Sequence, residues 1–120
     1  MAIAAGVLVA LVAALHVYFL VLEMFLWQTP RARAAFGTTE AFAKESAALA
    51  ANQGLYNGFL AAGLVWGLLA ADPVGFAAKV FFLVCVIVAG LYGAATANRR
   101  ILLVQALPAA IALVLVLVAH

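Results

Sequence analysis

Two ionisable side chains, His16 and Glu23, lie inside the first long apolar stretch of the chain. In a helix with about 100° per residue they share one narrow stripe with Leu20 and Trp27. They are seven positions apart, which corresponds to a rise of roughly 10 Å, so the two groups form no direct pair. A water molecule or a bound ligand could join them. These side-chain types make the stripe a candidate for acid–base chemistry or for ligand binding.

Glu23 is the most informative of these residues. A carboxyl group removed from water favours its neutral form and could exchange a proton near neutrality. The alternatives are that Glu23 reaches toward the membrane surface or pairs with Arg99 or Arg100. For His16, the alternative to ligand binding is a core histidine with satisfied hydrogen bonds.

A second polar group opens the second apolar stretch, at residues 52–58. On a helical wheel one broad face comprises Asn52, Gln53, Tyr56 and Asn57. The opposite face comprises Gly54, Gly58 and Ala62. Small residues spaced four apart suit close helix packing. The pattern therefore predicts one face that packs and one that offers hydrogen bonds.

Further polar residues lie near the same end of the later apolar stretches, and the residues from all four stretches are expected at similar depth. The candidate ligand-binding residues are His16, Glu23, Asn52, Gln53, Tyr56, Asn57, Tyr92, Thr96 and Gln105. We expect a polar pocket open to the cytoplasm, centred on Glu23. The alternative is a hydrogen-bonded network that only holds the helices together. Such bonds contribute about 0.6 kcal/mol each in membranes, so stability alone is a weak reason for so many polar groups.

No cofactor or metal ion is expected, and no residue is assigned a catalytic role. Cys85 is the one cysteine, and no Cys/His cluster has zinc-site spacing. A second intramembrane histidine for haem is absent unless a dimer supplies one. The sequence contains no nucleophile elbow, phosphate-binding loop or dinucleotide fingerprint. The net charge of +2 forms no nucleic-acid footprint. An enzyme is therefore not indicated.

The elements that position these residues follow from composition. The chain is 71% hydrophobic and 8% charged, so it carries too little polar surface for a soluble domain, and lipid is its expected solvent. We predict one all-α polytopic membrane domain over residues 1–120. Its four spans are expected at about 3–27, 50–71, 74–97 and 101–119. The connection 28–49 is predicted to hold a short interfacial amphipathic helix, capped by Thr38 or Thr39.

The positive charges predict the orientation. The 28–49 loop has Arg31, Arg33 and Lys44, and the 98–100 loop has Arg99 and Arg100, whereas the middle connection is followed only by Lys79. Positive residues collect on the cytoplasmic side, which places both loops in the cytoplasm and both termini outside. The expected partners are the lipid bilayer and a second copy of the chain bound through small-residue helix faces.

Two segments carry a family resemblance. The first comprises His-Val-Tyr at 16–18, Leu-Glu-Met-Phe at 22–25, Trp27, Thr29-Pro30 and Phe36. The second is the run Asn-Gln-Gly-Leu-Tyr-Asn-Gly at 52–58, within 51–63. Together they resemble the bacterial membrane proteins of domain-of-unknown-function family 1304, over the whole chain. The resemblance implies a four-span protein of the bacterial inner membrane and brings no catalytic residues.

Three functions compete at this point. The first is a binding protein or small transporter in which Glu23 couples protonation to a small ligand or ion. The second is a membrane enzyme acting on a lipid-like substrate, with Glu23 and His16 as acid–base groups. The third is a structural or accessory subunit that recruits a partner through its small-residue faces.

Overall fold

The computed structural model describes all 120 residues, and most of the chain is helical. The elements in order are α1 (Ala2–Met24), α2 (Pro30–Phe36), α3 (Glu40–Glu45), α4 (Ala47–Leu69), α5 (Val74–Thr96), a π-helical segment (Leu102–Ala106) and α6 (Leu107–Ala119). No strand is present, which confirms the predicted all-α class.

Three helical stretches are long and apolar enough to cross a membrane: Ala2–Met24, Val74–Thr96 and Leu102–Ala119. Three of the four predicted spans therefore correspond to helices with the length and composition to cross a membrane, and the predicted span at 50–71 does not. Helix α4 has 23 residues, or about 35 Å of rise, which exceeds the hydrocarbon thickness. It lacks the apolar composition of the other three because Asn52, Gln53 and Asn57 lie in its first half.

Helix α1 ends at Met24, three residues before the predicted end of the first span at Trp27. The N–H groups of Phe25 and Leu26 both donate to the carbonyl of Val21, at 3.0 and 3.1 Å, which closes the helix. The chain then turns toward the next helix, so the apolar residues that extended the prediction belong to a turn.

The connection 28–49 holds two short helices where the sequence predicted one. Helix α2 begins after Thr29, whose side chain accepts a hydrogen bond from the N–H of Ala32, and Pro30 occupies its first turn. It ends at Gly37, which adopts the left-handed conformation at φ 68° that glycine tolerates best. This threonine–proline start and glycine stop are the signals that could have revealed α2.

Helix α3 is the predicted short helix of the connection, and of the two candidate caps Thr39 is the one used. Its side chain accepts a hydrogen bond from the N–H of Phe42 at 3.1 Å. Ser46 separates α3 from α4, and its backbone N–H and hydroxyl group both donate to the carbonyl of Phe42. The short helix therefore does not run straight into α4.

The chain folds into two compact units: unit 1, residues 1–14 and 60–120, and unit 2, residues 15–59. Unit 1 has an apolar core, which comprises Ala5, Val9, Val12, Ala13, Leu64, Leu83, Val86, Ala109, Ala112 and Val116. Its long helices pack closely because small residues lie where they meet. A Cβ atom on Gly90 would lie 2.9 Å from the backbone nitrogen of Ala106.

The π-helical segment lies just before Pro108. Proline has no N–H group to donate to Val104, so the regular hydrogen-bond pattern is interrupted there. The N–H of Leu107 donates instead to the carbonyl of Leu102, five residues earlier, which is the π-helical pattern. Gln105 lies within this segment and is half-buried.

Candidate functional site

The centre of unit 2 is a hydrogen bond between the side chains of Glu23 and Asn57. Glu23 lies in the last turn of α1, Asn57 lies in the first half of α4, and each is 7% exposed. The amide Nδ2 of Asn57 donates to Oε1 of Glu23 at 2.5 Å. The ionisable carboxyl group of Glu23 is thus buried with a neutral amide as its hydrogen-bond partner.

Two glycines of α4 let the helices come close enough for this bond. A Cβ atom on Gly54 would lie 2.6 Å from Cγ of Met24, 3.1 Å from Cβ of Glu23 and 3.3 Å from the carbonyl oxygen of Leu20. A Cβ atom on Gly58 would lie 2.7 Å from Cδ1 of Leu20. The predicted Gly54/Gly58 packing face is therefore confirmed, and it packs on the second half of α1.

Asn57 lies on this packing side of α4, together with Gly54 and Gly58. Asn52, Gln53 and Tyr56 are exposed or partly exposed. This differs from the single polar face that the helical wheel suggested. The reason is geometric: Asn57 stands at the edge of that broad face, three residues after Gly54, and the close packing at the glycines turns it toward Glu23.

The second carboxyl oxygen of Glu23, Oε2, has no hydrogen-bond partner in the protein. It is not fully enclosed, so a small molecule or ion can reach it. Glu23 lines a pocket of about 310 Å³. The other lining residues are Met24, Phe25, Leu26, Trp27, Gln28, Thr29 and Ala47. The pocket wall contains one acidic residue and no basic residue.

The loop that forms the pocket wall is held by a network that the sequence analysis missed. Nε1 of Trp27 donates to Oγ of Ser46 at 3.1 Å, and the ring of Trp27 packs on Phe36 with centroids 5.0 Å apart. The hydroxyl of Thr29 donates to the carbonyl of Leu26 at 2.6 Å, and Nε of Arg33 donates to the carbonyl of Gln28 at 3.3 Å.

Trp27 and Phe36 belong to a larger group of aromatic rings. Phe36 also meets Phe19, with centroids 6.4 Å apart. No local pattern predicts the Trp27–Ser46 bond, because it depends on how the two short helices fold back along the chain.

His16 is fully buried and does not line the pocket. Its ring packs edge-on against Phe19, with centroids 5.6 Å apart. Of the two residues with which the sequence analysis began, Glu23 therefore lines the pocket, whereas His16 belongs to the packed interior.

The remaining candidate residues belong to unit 1. Tyr92 is 72% exposed, and the hydroxyl of Thr96 donates to the carbonyl of Tyr92 at 2.7 Å, a bond within one helix. Gln105 is half-buried in the π-helical segment. The convergence of these residues with Glu23 stays a prediction.

The fold and the pocket define the chain as a small helical protein. It has three helices long and apolar enough to cross a membrane, and a buried carboxyl–amide pair. It belongs to the family described as "Protein of unknown function (DUF1304)", whose family model matches residues 10–117. The match covers every candidate site residue and confirms the resemblance drawn from the two sequence segments. No curated protein and no solved structure matches the chain.

Proposed function

We propose that the chain crosses the bacterial inner membrane four times, with both termini outside and residues 28–49 and 98–100 in the cytoplasm. Helix α4 is the span that adds to the three apolar ones and is the second in chain order, because it has the length to cross and no charged residue. Its most buried amide, Asn57, is satisfied by Glu23, which lowers the cost of placing it in lipid.

Within this topology, the pocket of unit 2 binds a small ligand or ion, and its chemistry favours a cation. The observation that carries the proposal is the buried carboxyl of Glu23, which has an amide partner, no basic partner in unit 2, and a place in the wall of a pocket. A buried carboxylate that serves only stability is normally paired with a positive group.

Two further features of the pocket favour positive charge. The pocket lies at the carboxyl end of α1, where unpaired carbonyl groups carry partial negative charge. The indole of Trp27 contributes to its wall, and aromatic faces attract ammonium groups. A cation that binds Oε2 of Glu23 competes there with a proton, so binding releases a proton.

Proton release from purified protein in lipid nanodiscs tests the proposal. We would add sodium chloride or tetramethylammonium chloride to a weakly buffered sample that contains a pH indicator. The wild type is expected to release protons with one of these salts. Glu23→Gln should abolish the release, because its amide cannot bind a proton in the same range.

Glu45→Gln is the matched control, since Glu45 is an exposed acidic residue of the same unit. It should release protons like the wild type. If neither salt causes release from the wild type, or if Glu23→Gln retains it, the proposal is wrong.

Two other functions have less support. A membrane enzyme acting on a lipid-like substrate needs both Glu23 and His16 within reach of that substrate, and His16 is fully buried. An accessory subunit that recruits a partner through small residues needs Gly54 and Gly58 to be free, and both pack on α1 within unit 2.

A further inference from the structure

Helix α4 carries an exposed stripe of polar side chains with an apolar residue at each end, which we name the amide stripe. It comprises Leu49, Asn52, Gln53, Tyr56 and Phe59. At about 100° per residue these positions fall within one-third of the helix circumference. Leu49 is 73% exposed, Tyr56 is 54% exposed and Phe59 is 55% exposed, so the stripe continues over about three turns.

The amide stripe lies on the opposite side of α4 from the face that packs on α1. That packing face comprises Gly54, Asn57 and Gly58, which point toward Glu23 and Leu20. The helix therefore has one face buried by packing within the protein and another face exposed.

The polar side chains of the stripe have no hydrogen-bond partner within the protein. Asn57 is the one amide of α4 whose side chain is paired. Asn52, Gln53 and Tyr56 leave amide and phenol donors and acceptors exposed. On a helix that crosses a membrane, unpaired amides facing lipid are costly, and they favour association with another helix.

We propose that the amide stripe is the interface with a second copy of this chain. An amide carries both donors and an acceptor, so Asn52 and Gln53 can pair with the same residues of an identical helix. Helix α4 contains no charged residue, so no like charges face each other across such an interface. Leu49 and Phe59 provide apolar packing at the two ends.

The two copies share one orientation in the membrane, because each inserts with the same positive loops in the cytoplasm. A two-fold axis along the membrane normal then brings each stripe against its own equivalent and closes the assembly at two chains. The surface differs from the small-residue faces expected from the sequence, since those glycines are already occupied by α1.

Cysteine cross-linking in native membranes tests the interface. In a Cys85→Ala background, Tyr56→Cys is expected to form a disulfide-linked dimer rapidly on mild oxidation. Phe81→Cys is the matched control, because Phe81 is an aromatic residue that is 62% exposed on α5. If Tyr56→Cys cross-links no faster than Phe81→Cys, the stripe is not the interface.

A second measurement removes the hydrogen bonds while keeping the protomer folded. Asn52→Leu with Gln53→Leu places lipid-compatible side chains on an exposed face, so the unfolding temperature of the protomer should not fall. We expect wild-type protein to migrate as a dimer after mild detergent extraction and the double variant to be monomeric. A monomeric wild type, or a double variant that stays dimeric, would overturn the proposal.

Discussion

At the scale of single residues, Oε1 of Glu23 accepts a hydrogen bond from Asn57 while Oε2 accepts none. An arginine at the position of Asn57 would hold the carboxyl in its charged form. An amide can stay bonded whether the carboxyl is neutral or charged, because its N–H donates to an oxygen in both states. The pair is therefore compatible with a carboxyl that gains and loses a proton.

Replacement of Asn57 tests the energetic importance of this bond. We expect Asn57→Ala to lower the free energy of unfolding by about 1–3 kcal/mol, because it leaves the Glu23 carboxyl buried without a donor. Unfolding in mixed micelles of increasing denaturing detergent measures the change. Glu45→Ala is the control, since Glu45 is exposed and lies outside the amide stripe, and should change stability by less than about 0.5 kcal/mol. Equal losses in the two variants would contradict this interpretation.

The sequence was sufficient to predict Glu23, because an acidic residue in an apolar stretch is costly and conspicuous. It was not sufficient to single out Asn57. A helical wheel groups Asn57 with Asn52, Gln53 and Tyr56, and only the position of the neighbouring helix decides which amide points inward. The close approach of α1 at Gly54 and Gly58 supplies that position.

At the scale of elements, α2 and α4 mark where sequence reasoning was incomplete. Residues 28–30 follow the predicted end of the first span, and they also begin α2, because Thr29 caps it and Pro30 fits its first turn. Helix α4 was predicted as a span by length, and its amides give it a weaker apolar signal than the other three long stretches. In the first case the same residues follow one helix and begin the next. In the second case the amides that offer hydrogen bonds also lower the mean hydropathy of the helix.

The packing of α1 on α4 predicts a large difference between two glycine substitutions. Gly54→Ala should be destabilising, because its Cβ would meet Cβ of Glu23 and the carbonyl of Leu20, which belong to a packed helix. Gly6→Ala should be neutral or stabilising, because nothing lies within 4 Å of its Cβ position. Unfolding in the same mixed micelles measures both.

The comparison is matched, since both glycines lie inside helices and both gain about 1 kcal/mol of helix propensity when replaced by alanine. The difference between the two variants therefore reports the steric cost alone. We expect at least about 2 kcal/mol, in the range typical of overpacked interiors. A difference near zero would show that α1 and α4 do not pack closely at Gly54.

At the scale of the whole molecule, the all-α class and three helices long and apolar enough to cross a membrane followed from composition, because only helices satisfy their backbone groups within a long apolar segment. The division into two compact units did not follow, because it depends on how residues far apart in the chain pack together. No local pattern marks residues 14–15 or 59–60, where the division falls within continuous helices.

The proposed topology predicts which loops react with a membrane-impermeant maleimide. In a Cys85→Ala background, Ala71→Cys should be labelled in spheroplasts of a bacterial host, because the connection after α4 lies outside. Glu40→Cys should be labelled only after the membrane is opened, because α3 lies in the cytoplasm. Both positions are exposed in the fold, so access to solvent does not distinguish them. The reverse pattern would invert the topology.

The indole of Trp27, fixed by Ser46 and Phe36 in the pocket wall, has a practical consequence. The chain contains two tryptophans, and the other, Trp66, is 54% exposed in unit 1. Replacing Trp66 with phenylalanine leaves Trp27 as the single tryptophan, in the wall of the pocket that Glu23 also lines. A change in its emission would follow events at the carboxyl group without any attached dye, so the protein contains its own optical reporter of the pocket.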